Sequence, residues 1–278
     1  EKALNAQGSG TDLDVANGLK KAADAGAKVI NLSLTYIPSP SVVTAINYAA
    51  AKGATVVFAG GNSSAALNGG ANSTGLSAAA LTHLVLVGSV NANNQLSSFS
   101  NTPGTGALLA TNGAKASYAS VWLMAPGERI VAPGLQYGST AYAYWSGTSM
   151  AAPHVTGGLA LLMERFPYLN NPQIRDVLLT TATDLGASGV DDVYGWGLMN
   201  LKKAIDGPGQ MRVDTVVNMD RPAGGAIVWQ GGAWDDWRND ISGPGRLEKT
   251  GIGWLRLSGN NSFAGATLKQ GILELDGI

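Results

Sequence analysis

The sequence contains no cysteine and has few charged residues, at 13% of the chain. The missing cysteines exclude disulfide bonds, thiol catalysis and cysteine metal sites, but they leave the redox compartment open. The formal net charge is −1 and no run of Lys or Arg stands out. Nucleic acid and anionic membranes are therefore poor partners on electrostatic grounds.

Long apolar runs are also missing, and none reaches the length of a transmembrane helix. No signal peptide is visible. The segment Glu1–Asn5 has neither a Met nor a basic-then-apolar leader, so we expect the chain to begin within a longer protein. The places of the charged residues are taken by Gly, Ala, Ser, Thr and Asn, and with 45% hydrophobic residues this composition is that of a folded protein.

The first half of the chain alternates between helical and strand patterns. A helix is predicted from a cap at Thr11 or Asp12 to Gly26, and a second from a cap at Ser41 to Gly53. Short β-rich runs predict strands at 29–34, 55–59 and 84–87. This alternation predicts an α/β fold with a parallel sheet flanked by helices.

Two further helices are predicted downstream. Met150–Phe166 is apolar on nearly all sides, which predicts a buried helix. Asn171 and Pro172 open the other helix, with the proline at the first-turn position that it favours.

The composition changes near Gly207, where helical periodicity ends. We therefore predict two domains, residues 1–206 and a β-rich extension of residues 207–278. Leu255–Gly259 and Leu273–Gly277 match each other at a spacing of 18 residues. Such a repeat suits successive rungs of a parallel β-helix, interrupted at Ile278; a small β-sandwich appendage is the alternative.

Two predicted strands end where open α/β sheets place their ligands. One delivers Ser33–Thr35 and the other delivers Ala59–Asn62, in which Gly60 and Gly61 allow a close backbone approach. Taken alone, the second segment is equally well a glycine turn capped by Asn62.

A third segment, Ser146–His154, places Ser149 at the start of the apolar helix. Free amide donors and the helix dipole favour negative charge there, as on the oxygen of an acyl-transfer intermediate. Helix capping is the alternative role for this serine.

Several segments together resemble the subtilisin-like serine proteases, the subtilases. Gly147–Val155 is similar throughout to the nucleophile motif of that family, and Ala59–Asn62 resembles its oxyanion-hole segment, where an alanine often replaces Gly60. Val29–Leu34 resembles the strand whose end pairs with substrate backbone. The other segments that fit are Val87–Ser89, Ser98–Asn101 and Tyr194–Gly197.

The resemblance implies an endopeptidase in which Ser149 attacks the peptide carbonyl. Asn62 Nδ2 and the Ser149 backbone N–H would hold the oxyanion. The substrate-binding residues that it implies are Ser33, Leu34, Thr35, Ala59, Gly60, Gly61 and Thr148. Polypeptide substrates are the expected partners, and neither a cofactor nor a metal is assigned.

The acid and base motifs of the family, which precede the segments matched here, are missing from the sequence. His154 lies five residues beyond Ser149 and faces elsewhere on the helix, and His83 precedes an apolar strand. Asp12 and Asp14 fit helix capping. Three explanations stay open: an N-terminal fragment that carries the Asp and His, a sequence that is only part of a longer chain, or a pseudoprotease that binds peptide.

The extension resembles the passenger repeat of bacterial autotransporters. The segments that carry the resemblance are Trp237–Gly243, Leu247–Gly251 and Leu255–Asn261. This resemblance implies the start of a right-handed parallel β-helix, a membrane barrel further along the full-length protein, and a location outside a Gram-negative cell or on its outer membrane. A non-catalytic surface adhesin on a subtilase scaffold is the rival function.

Overall fold

The structure is a computed structural model that describes residues 3–5, 9–36, 39–69, 71–73, 75–134, 141–220, 228–229 and 232–276. Glu1 and Lys2, used above to predict a longer protein, and Gly277 of the repeated pattern lie outside the described residues.

The helices are α1 Asp12–Asp24, α2 Pro40–Ala51, α3 Ala78–Thr82, α4 Thr148–Arg165, α5 Asn171–Thr180 and α6 Leu201–Ala204. The strands are β1 Val29–Thr35, β2 Thr55–Ala59, β3 Ala71–Ser73, β4 Leu84–Val90, β5 Ala107–Leu109, β6 Lys115–Ser117, β7 Trp122–Pro126, β8 Ile130–Pro133, β9 Tyr142–Trp145, β10 Thr215–Asn218, β11 Val228–Trp229, β12 Gly232–Trp237, β13 Leu247–Thr250, β14 Trp254–Leu257, β15 Ala266–Leu268 and β16 Ile272–Leu275.

Packing divides the chain into two compact units. The first contains residues 1–157 and 183–198, and the second contains 158–182 and 199–278. Each unit is thus made of two separate stretches of the chain. The predicted domain boundary at 206–207 rests on composition alone and stays a prediction.

A parallel four-stranded sheet organises the first unit, in the order β1–β2–β4–β7. The strands β2 and β4 are buried at every position, as expected for central strands of a covered parallel sheet. The helix α2 connects β1 to β2, and α3 precedes β4. The predicted parallel sheet with helical connections is confirmed, and β1 lies at its edge.

Of the first two helices, only α1 begins at the cap that the sequence predicts. Thr11 caps α1 in a reciprocal pair, since its hydroxyl accepts from Asp14 N–H at 3.2 Å and its N–H donates to the Asp14 carboxylate at 2.9 Å. The prediction of a cap at Ser41 is wrong, because α2 starts at Pro40 behind Ser39. A proline fits the first helical position because its φ is preset and no N–H partner is needed there.

The helix α4 is not buried on all sides, contrary to the prediction. Pro153, Gly157, Ala160 and Glu164 are exposed, and Leu161 is 58% exposed. Most of these residues are small or apolar, so the exposed stripe leaves little polar signal in the sequence. No helix in the described ranges is both long and apolar enough to cross a bilayer.

The second unit holds two parallel sheets, β10–β13–β15 and β12–β14–β16, with β11 antiparallel to β12. The repeated segments lie side by side, with Leu255 opposite Leu273 and Leu257 opposite Leu275. Leu255 and Leu257 are fully buried. The 18-residue spacing therefore reflects strand pairing in register.

A buried lysine links neighbouring segments of the second unit. Lys249 in β13 has no exposed surface, and its ammonium donates to the carbonyls of Gly251, Gly253 and Gln270 at 2.5, 2.5 and 3.0 Å. Desolvation lowers the pKa of Lys249. Its three donors match three acceptors, which compensates for the burial of the charge.

A second buried polar network joins α4 to β12 within the same unit. Asp235 is 2% exposed. Its carboxylate accepts hydrogen bonds from Nη1 and Nη2 of Arg165, both at 2.6 Å, and from the Tyr168 hydroxyl at 2.5 Å. Trp237 Nε1 donates to the Tyr168 oxygen at 3.0 Å. Burial, with Asp235 alongside, raises the pKa of Tyr168 well above its ordinary value, so this hydroxyl stays a donor.

Candidate active site

The carboxyl end of β1 leaves the sheet at an irregularity in strand pairing. Leu32 pairs with Phe58, but the next paired residue of β1 is Thr35, opposite Ala59. Ser33 and Leu34 are therefore released from the ladder with β2. Such a bulge re-aims side chains, and here it leaves Ser33 exposed towards the start of α4.

The strand β2 continues into two glycines that fit tightly between neighbours. A Cβ at Gly60 would lie 2.3 Å from the ring of Trp122, which is fully buried. A Cβ at Gly61, whose φ is +108°, would lie 2.3 Å from Asn101 Nδ2 and 3.1 Å from Thr35 Cγ2. Both positions therefore require glycine, and the alanine that the family resemblance allows in place of Gly60 does not fit here.

Ser149 and Ser33 exchange two hydrogen bonds. The Ser149 hydroxyl donates to the Ser33 carbonyl at 3.2 Å, and the Ser33 hydroxyl donates to the Ser149 carbonyl at 2.8 Å. Pro153, four residues along α4, has no N–H to serve the Ser149 carbonyl. Ser33 thus supplies the donor that the helix lacks, which fixes the first turn of α4 against β1.

The side-chain amide of Asn62 is held with its Oδ1 atom facing the start of α4. Thr148 donates to Asn62 Oδ1 through its N–H and its hydroxyl, both at 2.9 Å. The same hydroxyl accepts from Gly61 N–H at 3.1 Å in a buried position. Nδ2 makes no hydrogen bond to any described residue, and a Cβ at Gly147 would lie 3.4 Å from it. This geometry leaves the Nδ2 amide group as an open donor beside the helix start.

The predicted site residues do not all have the same surroundings. Ser33, Gly61, Asn62, Thr148 and Ser149 are joined by hydrogen bonds. Thr35 lies against Gly61 and borders a groove with Leu34 and Phe58. Ala59 is 1% exposed, and its carbonyl accepts from Tyr36 N–H at 3.3 Å. Ala59 is therefore buried within the sheet in this structure.

Sequence reasoning missed three residues that shape this site. Asn101 was quoted only as part of a matching segment, and Trp122 was not noticed, because long-range packing carries no local signal. The effect of Pro153 was readable, since a proline frees the carbonyl four residues earlier in any helix.

Neither histidine can serve Ser149 as a base. His154 Nδ1 lies 2.8 Å from the Met150 carbonyl on its own helix, as expected from helical geometry. His83, 8% exposed, has its Nδ1 2.8 Å from the Ala79 carbonyl.

The other titratable groups described near the site give no base or metal site either. Burial, and then Tyr118, raise the pKa of Tyr36, so that this phenol stays neutral. The described residues contain no group of three or more His, Asp or Glu suited to hold a metal ion.

The sequence profile of the subtilase family matches residues 2–197 of this chain. The chain belongs to the subtilase family. It is 37% identical over 205 residues to Subtilisin DY of Bacillus licheniformis, an alignment that covers 73% of this subtilase and 66% of the relative.

Two larger relatives match a shorter stretch of this subtilase. An extracellular serine protease of Serratia marcescens is 44% identical over 180 residues, covering 54% of this chain and 16% of the relative. The Neisserial autotransporter lipoprotein NalP of Neisseria meningitidis is 43% identical over 131 residues, covering 45% and 11%. The aligned part is thus a small fraction of these two proteins.

Solved structures show the same fold. The Prenylagaramide maturation protease PagA superposes with a TM-score of 0.54 at 21% identity, covering 71% of this chain and 68% of that structure. The Patellamide maturation protease PatA gives a TM-score of 0.53 at 25% identity, covering 70% and 68%. The predicted α/β subtilase fold is thereby confirmed.

Proposed function

We propose that this chain is the larger part of the catalytic domain of a serine endopeptidase, with Ser149 as nucleophile. Asn62 Nδ2 and the Ser149 backbone N–H form the oxyanion hole. The observation that carries this proposal is the orientation of the Asn62 amide. Because Thr148 occupies Oδ1 with two donors at 2.9 Å, Nδ2 is left to donate beside the first turn of α4.

The chemistry is acyl transfer. The Ser149 oxygen attacks the peptide carbonyl carbon, its proton passes to a general base, and the carbonyl oxygen becomes an oxyanion. In the first turn of α4, Thr148 N–H donates to Asn62 Oδ1 and Met150 N–H to the Gly147 carbonyl, whereas Ser149 N–H has no acceptor among the described residues. This N–H, the helix start and Asn62 Nδ2 therefore favour that charge. Collapse of the intermediate expels the amine, which receives the proton back from the base, and water then hydrolyses the acyl-enzyme.

The substrate binds as an added strand at the end of β1. Ser33, Leu34 and Thr35 supply this edge because the irregular pairing with β2 frees the first two of them. The backbone from Ala59 to Gly61 forms one wall of the primary specificity pocket. In the free chain the Ser149 hydroxyl donates its hydrogen bond to the Ser33 carbonyl. When a base is in place, the hydroxyl turns and donates to the base instead.

The general base and its acid come from an N-terminal segment of the same protein, bound at the open edge of β1. Among the described strands, β1 pairs only with β2. A groove of about 490 Å³ runs along this strand, and its apolar lining includes Leu4, Leu19, Ile30 and Leu32. An apolar groove beside an unpaired strand edge suits a further strand, which would bring new side chains to the same end of the sheet as Ser33.

The extension, residues 207–278, is the start of a right-handed parallel β-helix that leads towards a membrane barrel in the full-length protein. Support comes from its parallel strands, since β12, β13 and β14 each pair with a strand 18–20 residues further along, and β10 pairs with one 32 residues further along. Trp234 lies opposite Trp254, which lies opposite Ile272, as in stacked rungs. The protein is secreted or displayed on the outer surface of a Gram-negative bacterium, where it cleaves itself or other surface proteins. Relatives named as an extracellular protease and as an autotransporter lipoprotein support this location.

Fluorophosphonate labelling of the full-length protein tests the catalytic proposal. Wild type and a Ser120→Ala control are expected to be labelled at Ser149 and to hydrolyse a peptide substrate. Ser149→Ala is expected to lose labelling, peptide hydrolysis and self-cleavage together. Substantial turnover in Ser149→Ala would refute the mechanism. An unlabelled wild type that still binds peptide would instead favour the non-catalytic adhesin.

A denaturing intact-mass spectrum of the active protein tests the source of the base. We expect either one longer polypeptide or two polypeptides, with the acid and base motifs preceding the segment that corresponds to residue 1. Peptide hydrolysis by a sample that contains only the 28.4 kDa chain would overturn this part of the proposal.

A further inference from the structure

Asn101 binds the backbone on the amino side of Asn62 through two donors. Its main-chain N–H donates to the Gly61 carbonyl at 2.9 Å, and its Nδ2 donates to the Gly60 carbonyl at 3.0 Å. The contact is close, since a Cβ at Gly61 would lie 2.3 Å from Nδ2. The carbonyls of the two residues that precede Asn62 are thereby bound by the backbone and the side chain of one residue.

The same side chain binds the backbone on the carboxyl side of Asn62. Asn101 Oδ1 accepts from Ser63 N–H at 3.0 Å and from Ala65 N–H at 3.1 Å. Ser64, between these two donors, adopts a φ of +52°, which is uncommon for a residue other than glycine. The loop therefore has a special backbone conformation that these hydrogen bonds maintain.

Asn101 is itself anchored to the central sheet. It is 5% exposed, and its carbonyl accepts from the Ser100 hydroxyl at 2.9 Å. The Ser100 hydroxyl accepts from Ser89 N–H at 3.0 Å, and the hydroxyls of Ser89 and Ser97 lie 2.8 Å apart. Ser89 belongs to β4, which is buried throughout. A continuous set of hydrogen bonds, buried on the amino side of Asn62 and partly buried on its carboxyl side, thus runs from the sheet to both flanks of this residue.

Only a primary amide of this length supplies what the loop needs. One end must donate to a carbonyl and the other must accept from two N–H groups, which asparagine does and aspartate does not. Asn62 is exposed, so its position depends on its backbone and on Thr148. Oxyanion donors act only when they are preorganised at the position of the developing charge.

We infer that Asn101 is a positioning residue of the active site, which holds the Gly60–Ala65 backbone so that Asn62 Nδ2 points at the oxyanion. This inference rests on the proposed function, because it assigns Asn101 an effect on catalysis that passes through Asn62. Asn101 itself contacts neither the substrate nor Ser149. Its removal therefore affects turnover more than substrate binding.

Kinetics of the full-length protein in a double-mutant cycle tests the inference. Asn101→Asp changes one NH₂ to oxygen, so it keeps the acceptor for Ser63 and Ala65 but loses the donor to the Gly60 carbonyl. Since misplacing a catalytic donor by about 1 Å can cost about a hundredfold, we expect kcat to fall about 10–100-fold and KM to change less than about threefold. In an Asn62→Ala background the same change is expected to lower kcat less than about threefold, because the donor is already gone.

Asn112→Asp is the matched control, because Asn112 is an exposed turn residue whose Oδ1 accepts from Ala114 N–H at 3.1 Å and aspartate retains that acceptor. Its kcat is expected to stay within about twofold of wild type. Thermal unfolding of every variant reports on folding, and Asn101→Ser replaces Asn101→Asp in the cycle if the latter does not fold. For Asn101→Ser, too, kcat is expected to fall less in the Asn62→Ala background than in the wild-type background.

The outcomes distinguish a failure of the proposed function from a failure of the role inferred for Asn101. A wild type that neither hydrolyses peptide nor reacts with a fluorophosphonate overturns the proposed function and this inference with it. An active wild type whose Asn101 variants keep wild-type kcat overturns this inference alone. So does an equal loss of kcat in both backgrounds, since that pattern belongs to a general structural defect.

Discussion

Replacing Thr148 by valine tests how the Asn62 amide is oriented. Valine keeps the shape of threonine but removes the hydroxyl, which donates to Asn62 Oδ1 at 2.9 Å and accepts from Gly61 N–H at 3.1 Å. Thr148 has no exposed surface, so water does not replace the lost partner. The Thr148 N–H still donates to Asn62 Oδ1, and one of the two anchors is retained.

The expected effects on stability and on turnover have separate origins. An unpaired buried N–H costs about 1–3 kcal/mol, and the lost hydroxyl hydrogen bond about 1 kcal/mol more. We therefore expect the free energy of unfolding to fall by about 2–4 kcal/mol. If loss of one anchor weakens oxyanion stabilisation by about 1 kcal/mol, kcat falls about fivefold. This is smaller than the loss of about 10²–10³ expected on removing the Asn62 donor itself, a magnitude known from a subtilisin.

The assay combines urea unfolding with steady-state hydrolysis of a chromogenic peptide by the full-length protein. Thr148→Ser retains the hydroxyl and is expected to restore kcat. Thr181→Val is the matched control, because Thr181 is equally buried but its hydroxyl donates only to carbonyls of its own helix. A Thr148→Val protein with wild-type stability and kcat within twofold of wild type would show that the hydroxyl does not orient Asn62.

Three further substitutions test separate features of the structure. Gly61→Ala places a Cβ 2.3 Å from a buried amide nitrogen and is expected to reduce fluorophosphonate labelling at least about tenfold. Gly113→Ala is the control, because Gly113 also has a positive φ but an added Cβ would have no neighbouring atom within 4 Å. This variant should lose only about 1–2 kcal/mol of stability and label normally. Equal losses of labelling in the two variants would exclude the steric explanation. Asp235→Asn removes the buried carboxylate that pairs with the partly buried Arg165 and should lower the free energy of unfolding by about 3 kcal/mol in urea titrations, whereas Asp206→Asn, in an exposed pair at 3.5 Å, should change it by less than about 1 kcal/mol. Hydrogen bonds from the backbone and then the hydroxyl of its capping threonine lower the pKa of Asp14, so its contribution is present above the ordinary value of 3.8 and is lost as the pH falls through the folded value. Asp14→Asn should therefore unfold with a weaker dependence on acid than wild type, and identical pH profiles would contradict this assignment.

The larger elements of the fold could be predicted because their patterns are local. The strand at 55–59 is a continuous apolar run, and the cap at Thr11 precedes a periodic helix. The start of α2 was misplaced at Ser41, because a proline fits the first helical position and the helix therefore already begins at Pro40. The exposed face of α4 was not predictable, because residues such as Gly157 and Ala160 are compatible with burial and with solvent alike.

The sequence by itself determined the family, the nucleophile candidate and the oxyanion candidate, since these depend on short runs such as Gly147–Val155. It also predicted that neither histidine serves Ser149 as a base, because local structure explains both. Only the tertiary structure decided how Asn62 is oriented and what holds its loop. Those roles belong to Thr148 and Asn101, which lie far from Asn62 in sequence, and their hydrogen bonds exist only once the sheet and α4 bring the three segments together.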